Sequence, residues 1–306
     1  MAKNFDELLS KVSSCSKKKL SVAVAQDKAV LEAVKAAKER GIADSILVGD
    51  ADKIKEIADS IDMNLADYEV IDVKDIVEAS LKAVSLVHDG KADMYLKGLL
   101  DTKTFLKSVL DKEVGLRTGK PLSHVCVFEI PGIDRLVFLT DVAFIPYPTL
   151  EDKVNMINYT VEVANACGVE NPKVAPLAAV EKVNPKMPVT VEAEELTKMN
   201  EAGEITGCIV DGPLSMDIAL YKEAAEEKGA LDRKVAGDAD ILVFPDIHAG
   251  NLVYKSIVHM VDVKNGNILT GTQAPVILTS RSDSCEAKVN SIALAAVVAE
   301  ELQKNK

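Results

Sequence analysis

Short runs of β-branched and other apolar residues alternate along the chain with stretches whose apolar positions recur every three or four residues. Residues 20–25 (LSVAVA) read as a buried strand, and 28–40 as a helix that Gly41 stops. The pairing repeats at 45–48 with 51–61 and at 68–73 with 75–88. It returns at 94–96, before a polar loop and a helix from about Thr104. Such alternation predicts parallel strands with helices packed on both faces. Two successive strand patterns, 124–130 and 136–140, break the rhythm. The Pro131-Gly132-Ile133-Asp134 turn between them predicts an antiparallel pair.

The stretch Ile145-Pro146-Tyr147-Pro148-Thr149 favours an extended crossing segment. A domain boundary is placed there, with residues 1–146 in a first α/β domain and 147–285 in a second. The second half predicts helices at 151–167, 189–201, 215–227 and 251–261, and strands at 173–179, 207–210, 241–244 and 276–279. A last helix, about 285–302, carries Val289, Ile292, Leu294, Ala295, Val298 and Leu302 on a largely apolar face. It must dock, and about 286–306 is expected to return to the first domain. No repeat or low-complexity segment is visible.

The length of 306 residues fits about two domains. Hydrophobic residues at 48% and charged residues at 27% exclude a disordered chain. No apolar run approaches about 18 residues, and the charged N-terminus lacks a signal-type apolar core. A cytoplasmic protein without membrane association is therefore expected. The 36 basic against 48 acidic residues leave a net charge of −12, which argues against nucleic acid as a partner. One cleft can still gather cations for a small anion. With 4% aromatics and no Trp, a stacking platform for single strands is not expected. The five cysteines are scattered without C-x-x-C, and the four histidines show no H-E-x-x-H, so no metal site is expected.

In open parallel sheets, ligands gather beyond the carboxyl ends of the strands. The residues there are Lys97-Gly98 through Lys103, Asp141, Asp211-Gly212-Pro213, Pro245 through Asn251, and Ser280 through Ser284. The last group leads into a helix N-terminus, where backbone N–H groups and the dipole favour an anion. Ser280, Ser282 and Ser284 offer hydroxyls beside Arg281, whose fork suits phosphate. Helix capping by Ser282, Asp283 or Ser284 is the competing reading. Lys97, Lys103 and Lys107, the last one turn beyond Lys103, can hold an anion or simply line a solvated helix face. Gly250-Asn251 can bring backbone close to a ligand or form an ordinary turn.

Several segments together resemble the phosphate acyltransferase family, which contains the phosphotransacetylases and phosphate butyryltransferases. They are Asp211-Gly212-Pro213-Leu214 with Asp217, the run Ala239 to Asp246 ending Phe-Pro-Asp, Gly250-Asn251 with Tyr254-Lys255, and Ser280-Arg281. Asp141 with Pro146, Pro148 and Thr149 adds to them. The Ser280–Ser284 run, Lys97-Gly98 ahead of a helix and the compact length are most similar to the butyryl branch. The resemblance implies two three-layer αβα domains with a cleft between them, a fold similar to the isocitrate and isopropylmalate dehydrogenases. It implies reversible exchange of an acyl group between CoA and phosphate: acyl-CoA and phosphate in, acyl phosphate and free CoA out. It implies a homo-oligomer, no permanently bound cofactor, coenzyme A as substrate and no metal.

Ser280 and Arg281 match the family motif. The resemblance casts Ser280 as hydrogen-bonding the reacting centre and Arg281 as anchoring the thiolate or phosphate charge. Asp246, Gly250, Asn251, Ser282 and Ser284 are the implied substrate contacts. Two departures stand out. The family's candidate base falls at Ala287, leaving Asp283 as the nearest carboxylate. Its first-domain phosphate-binding arginine falls near Lys107. Cys285 lies near a helix N-terminus, where a thiol pKa can fall, but no histidine partner follows from the sequence and it is not assigned as a nucleophile. Three alternatives are an acetyl-specific transferase, a non-catalytic CoA-binding protein, and a metal-dependent hydroxyacid dehydrogenase using Asp211, Asp217 and Asp246.

Overall fold

The fold was obtained as a computed structural model, which describes residues 2–279 and 283–304. The first half runs α1 (Phe5–Val12), β1 (Lys18–Ala23), α2 (Lys28–Glu39), β2 (Ala43–Gly49), α3 (Ala51–Ser60), β3 (Glu69–Asp72), α4 (Ile76–His88), β4 (Met94–Lys97) and α5 (Thr102–Val109). Next come β5 (Ser123–Glu129), β6 (Leu136–Thr140), α6 (Leu150–Ala166), β7 (Lys173–Pro176), α7 (Pro188–Glu201), β8 (Ile209–Val210), α8 (Met216–Leu220) and α9 (Lys222–Glu227). The chain ends with β9 (Ile241–Val243), α10 (Ile247–Met260), β10 (Lys264–Thr270), β11 (Val276–Ile277) and α11 (Cys285–Lys304).

Two compact units form. The terminal unit holds Asp6–Lys120 and residues 266–304, and the central unit holds residues 2–5 and Pro121–Asn265. This differs from the boundary expected at 146/147. The hairpin of β5 and β6 belongs to the central unit because β6 pairs in parallel with β9. Residues 266–279 and 283–285, expected in the second domain, belong to the terminal unit, where β11 pairs in parallel with β4.

In the terminal unit the strand order is β3-β2-β1-β4-β11-β10, parallel except for the last pair. The chain moves outward from β1 to β3 and then returns to β4 on the other side of β1. That makes a switch point between β1 and β4. There Gly98 donates its N–H to the Ala23 carbonyl at 2.9 Å, and a Cβ on it would sit 2.3 Å from the Val24 oxygen. Only glycine permits that crossing. Asp27 starts α2 by accepting the Val30 N–H at 3.0 Å, and Val30, Leu31, Val34 and Ala37 face the core.

The final helix packs against α2 and beside β1, β2, β4 and β11. It is buried all round from Ala287 to Ala299 rather than on one face. Its five alanines let neighbours approach on every side.

In the central unit the order is β5-β6-β9-β7-β8, with β5 and β6 antiparallel as predicted and the remainder parallel. β6 (LVFLT) is buried at every position, as expected for a strand covered on both faces. The single helix predicted at 215–227 is two, α8 and α9, because Tyr221 turns extended between them. β10 was not predicted: Lys264-Asn265-Gly266-Asn267 reads as a polar turn, yet both asparagines are buried.

Candidate functional site

The polar residues at the strand ends divide by unit. In the central unit, β6 is followed by Asp141, whose carboxylate is buried and enclosed by donors. One oxygen accepts the Ala143 and Phe144 N–H groups at 2.6 and 2.8 Å. The other accepts the His124 N–H at 2.9 Å and the Ser123 hydroxyl at 3.2 Å. The β9 loop packs onto this turn. Asp246 caps α10 by accepting the Ala249 N–H at 2.9 Å. A Cβ on Gly250 would stand 2.3 Å from the Asp141 carbonyl oxygen, so the first turn of α10 lies against the β6 turn. Asn251 donates to the Val142 carbonyl at 3.0 Å. The exposed Tyr147 hydroxyl meets His248 Nε2 at 3.0 Å. The Gly250-Asn251 signature thus joins two strand-end loops.

The three carboxylates of the dehydrogenase alternative are each engaged separately. Asp211 accepts two guanidinium N–H bonds from Arg233, at 2.6 and 2.9 Å, and the Lys234 N–H at 2.6 Å. Asp217 pairs with Lys228 at 2.9 Å; hydrogen bonds from Ser215 and Lys228 hold its carboxyl down to about 2. Asp246 is the α10 cap. Arg233 went unnoticed in the sequence, since nothing local links it to a carboxylate 22 positions away.

In the terminal unit Lys97 ends β4 and is buried, beside β1 and one residue beyond the pairing of Leu96 with Ile277 of β11. Lys103 and Lys107 are exposed on α5, which Asp101 caps through the Thr104 N–H at 3.0 Å. Ser280, Arg281 and Ser282 lie outside the described residues. Just after them, Ser284 caps α11, its hydroxyl accepting the Ala287 N–H at 3.1 Å. Asp283 offers its carbonyl to the Lys288 ammonium. Lys288 was not singled out in the sequence. The signal available was a lysine opening a stretch otherwise made of small and apolar residues.

Cys285 is exposed, and its thiol is pushed up by partial burial and by Glu32 and Glu286, which outweigh Arg40 and Lys288. A raised thiol is a poorer source of thiolate, in keeping with its non-assignment. Arg40 and Glu286 meet in a two-bond fork, both at 2.8 Å. Among the described residues no helix is long and apolar enough to cross a membrane.

The fold itself is shared with a 4-hydroxythreonine-4-phosphate dehydrogenase from Burkholderia phymatum. That structure aligns with a TM-score of 0.52 at 14% identity, covering 94% of this chain and 98% of the other. This supports the dehydrogenase-like architecture and carries no activity. A branched-chain phosphotransacylase from Enterococcus faecalis aligns far better, with a TM-score of 0.83 and 35% identity over 92% of this chain and 99% of its own. The phosphate butyryltransferase of Clostridium acetobutylicum is 58% identical over 299 residues, 98% of this chain and 99% of its own. Residues 4–78 and 72–296 match the family described as phosphate acetyl/butaryl transferase. The chain belongs to that family, and it is a transferase.

Proposed function

We propose that this protein is a phosphate butyryltransferase, exchanging a short acyl group between coenzyme A and phosphate. The observation carrying this reading is the 58% identity, over nearly the whole of both chains, to a phosphate butyryltransferase. In the forward direction a phosphate oxygen attacks the thioester carbonyl carbon. The tetrahedral oxyanion collapses, the C–S bond breaks, and CoA leaves as the thiolate. In reverse, the thiolate attacks the acyl phosphate and phosphate leaves. Free thiols near pKa ~8.5 are mostly protonated at neutral pH, so thiolate stabilisation matters in both directions.

Arg281 is assigned to the thiolate or phosphate charge, and Ser280 to hydrogen bonding at the reacting centre. One good donor to the oxyanion contributes about 3–4 kcal/mol to such a transition state. Asp283 is the nearest carboxylate for proton transfer. Lys97, Lys103 and Lys107, with Ser282 and Ser284, are assigned to the anionic parts of the substrates. Asp246, Gly250 and Asn251 shape the central unit's strand ends, where their own bonds hold the loops. Cytoplasmic location and a homo-oligomer complete the reading, with no permanently bound cofactor.

The test is CoA release from butyryl-CoA or acetyl-CoA, with and without phosphate, in the presence of a chelator. Phosphate-dependent release, faster with butyryl-CoA, is expected. Preference for acetyl-CoA reassigns the acyl group, and one or two methylenes are worth only about 1–3 kcal/mol of discrimination each. No release from either, by folded protein, overturns the catalytic reading.

A further inference from the structure

Four lysines are buried among the described residues: Lys18, Lys97, Lys153 and Lys288. Lys18 pairs with Glu300 at 2.7 Å, and Lys153 pairs with Glu192. Lys97 also has a partner. Lys288, only 4% exposed, makes one hydrogen bond, to the neutral Asp283 carbonyl, and no described carboxylate pairs with it. It also stands in the first turns of α11, at the positive end of the helix dipole, where a cation is disfavoured. A buried ammonium has three donors and needs an opposing charge. Among the described residues this one has one acceptor and no opposing charge, and the helix field adds to the deficit.

We propose that Lys288 is a phosphate-binding residue, whose ammonium is completed by the phosphate ion or the phosphoryl group of the acyl phosphate. The inference rests on the acyltransferase reading for the identity of the anion. The arrangement itself, a buried cation at a helix N-terminus with donors to spare, selects a small oxyanion. It also gives this chain a phosphate-directed cation that does not depend on Lys107, which is exposed on α5.

Lys288→Met separates the two roles, because methionine fills nearly the same volume without the charge. Replacing an uncompensated buried cation by an apolar side chain should leave thermal stability without anions unchanged or raise it. Phosphate should raise the Tm of the wild type, since it binds only the folded state, and should not raise that of the variant. In turnover, KM for phosphate should rise about tenfold or more, the scale of one lost charge-assisted hydrogen bond, with KM for acyl-CoA little changed. Lys288→Arg, which keeps the charge, should retain the phosphate-induced shift. A full shift and an unchanged KM in Lys288→Met overturn the proposal. Should that variant not fold, Lys288→Gln and Lys288→Arg decide: loss only in the first supports the phosphate role, and equal behaviour overturns it. The Tm measurement uses inorganic phosphate alone, so it stands apart from whether the protein transfers acyl groups.

Discussion

The two ends of α11 treat a buried lysine in opposite ways. At the C-terminal end, Lys18 reaches Glu300, the Ser16 hydroxyl and the Gln303 side-chain oxygen. Glu300 in turn accepts the Ser16 hydroxyl at 2.6 Å, and Gln303 donates to Asp93 at 2.7 Å. Lys18 and Glu300 complete each other there, and the cluster ties the end of the helix to β1 and the residues before it. At the N-terminal end Lys288 has, among the described residues, only a carbonyl. The same side chain, buried to the same degree, therefore reports two different things. Where protein groups complete it, it holds the chain together. Where they do not, it points to a ligand. The central unit teaches the same lesson with the sign reversed. Asp141, Asp246 and Asn251 look like site residues in sequence, and all three hold backbone.

Breaking the completed end should have the largest effect on stability. Glu300→Ala leaves Lys18, 2% exposed, without its counter-charge, and should cost on the order of 3 kcal/mol in urea unfolding. Hydrogen bonds from Lys18 and Ser16 hold the Glu300 carboxyl down to about 2 from its ordinary 4.5. The unfolded chain therefore binds the extra proton between those values. The contribution of Glu300 is present above about pH 4.5 and is lost as pH falls toward 2. The wild type should lose stability across that window, and Glu300→Ala should lose less. Equal slopes for both would contradict a completed pair.

A smaller effect is expected at the junction of the strand-end loops in the central unit. Gly250→Ala places a methyl 2.3 Å from the Asp141 oxygen, and the loops must move apart. Overpacking of this kind costs about 1–3 kcal/mol, set against the better helix propensity of alanine. A lower unfolding midpoint is expected. A midpoint equal to or above wild type would mean the two loops yield freely and that Gly250 serves another purpose.

Much of the architecture was legible because the signals are local. Asp27, Asp75 and Thr149 cap α2, α4 and α6 where apolar periodicity begins. The antiparallel β5–β6 pair followed from a Pro-Gly turn between two apolar runs. What sequence reading lost lies where burial contradicts polarity or pairing is distant. β10 was hidden by asparagines that the fold buries. The start of α10 was placed four residues late, because Gly250 argued against helix while the cap at Asp246 marked its true beginning. The unit boundary was misplaced because prolines at 146 and 148 mark a crossing segment, whereas membership of a unit follows from which strand β6 pairs with. Lys288 escaped notice because its significance lies in burial and missing counter-charge, neither of which a residue type announces.

Acyl transfer is proposed to be carried by Ser280 and Arg281. The most direct measurement is the rate of phosphate-dependent CoA release from butyryl-CoA by Arg281→Ala and Cys285→Ala beside wild type. Loss of about 100-fold or more in kcat for Arg281→Ala, with Cys285→Ala near the wild-type rate, is the predicted result. A wild-type rate in folded Arg281→Ala, or loss of activity in folded Cys285→Ala, would contradict the account.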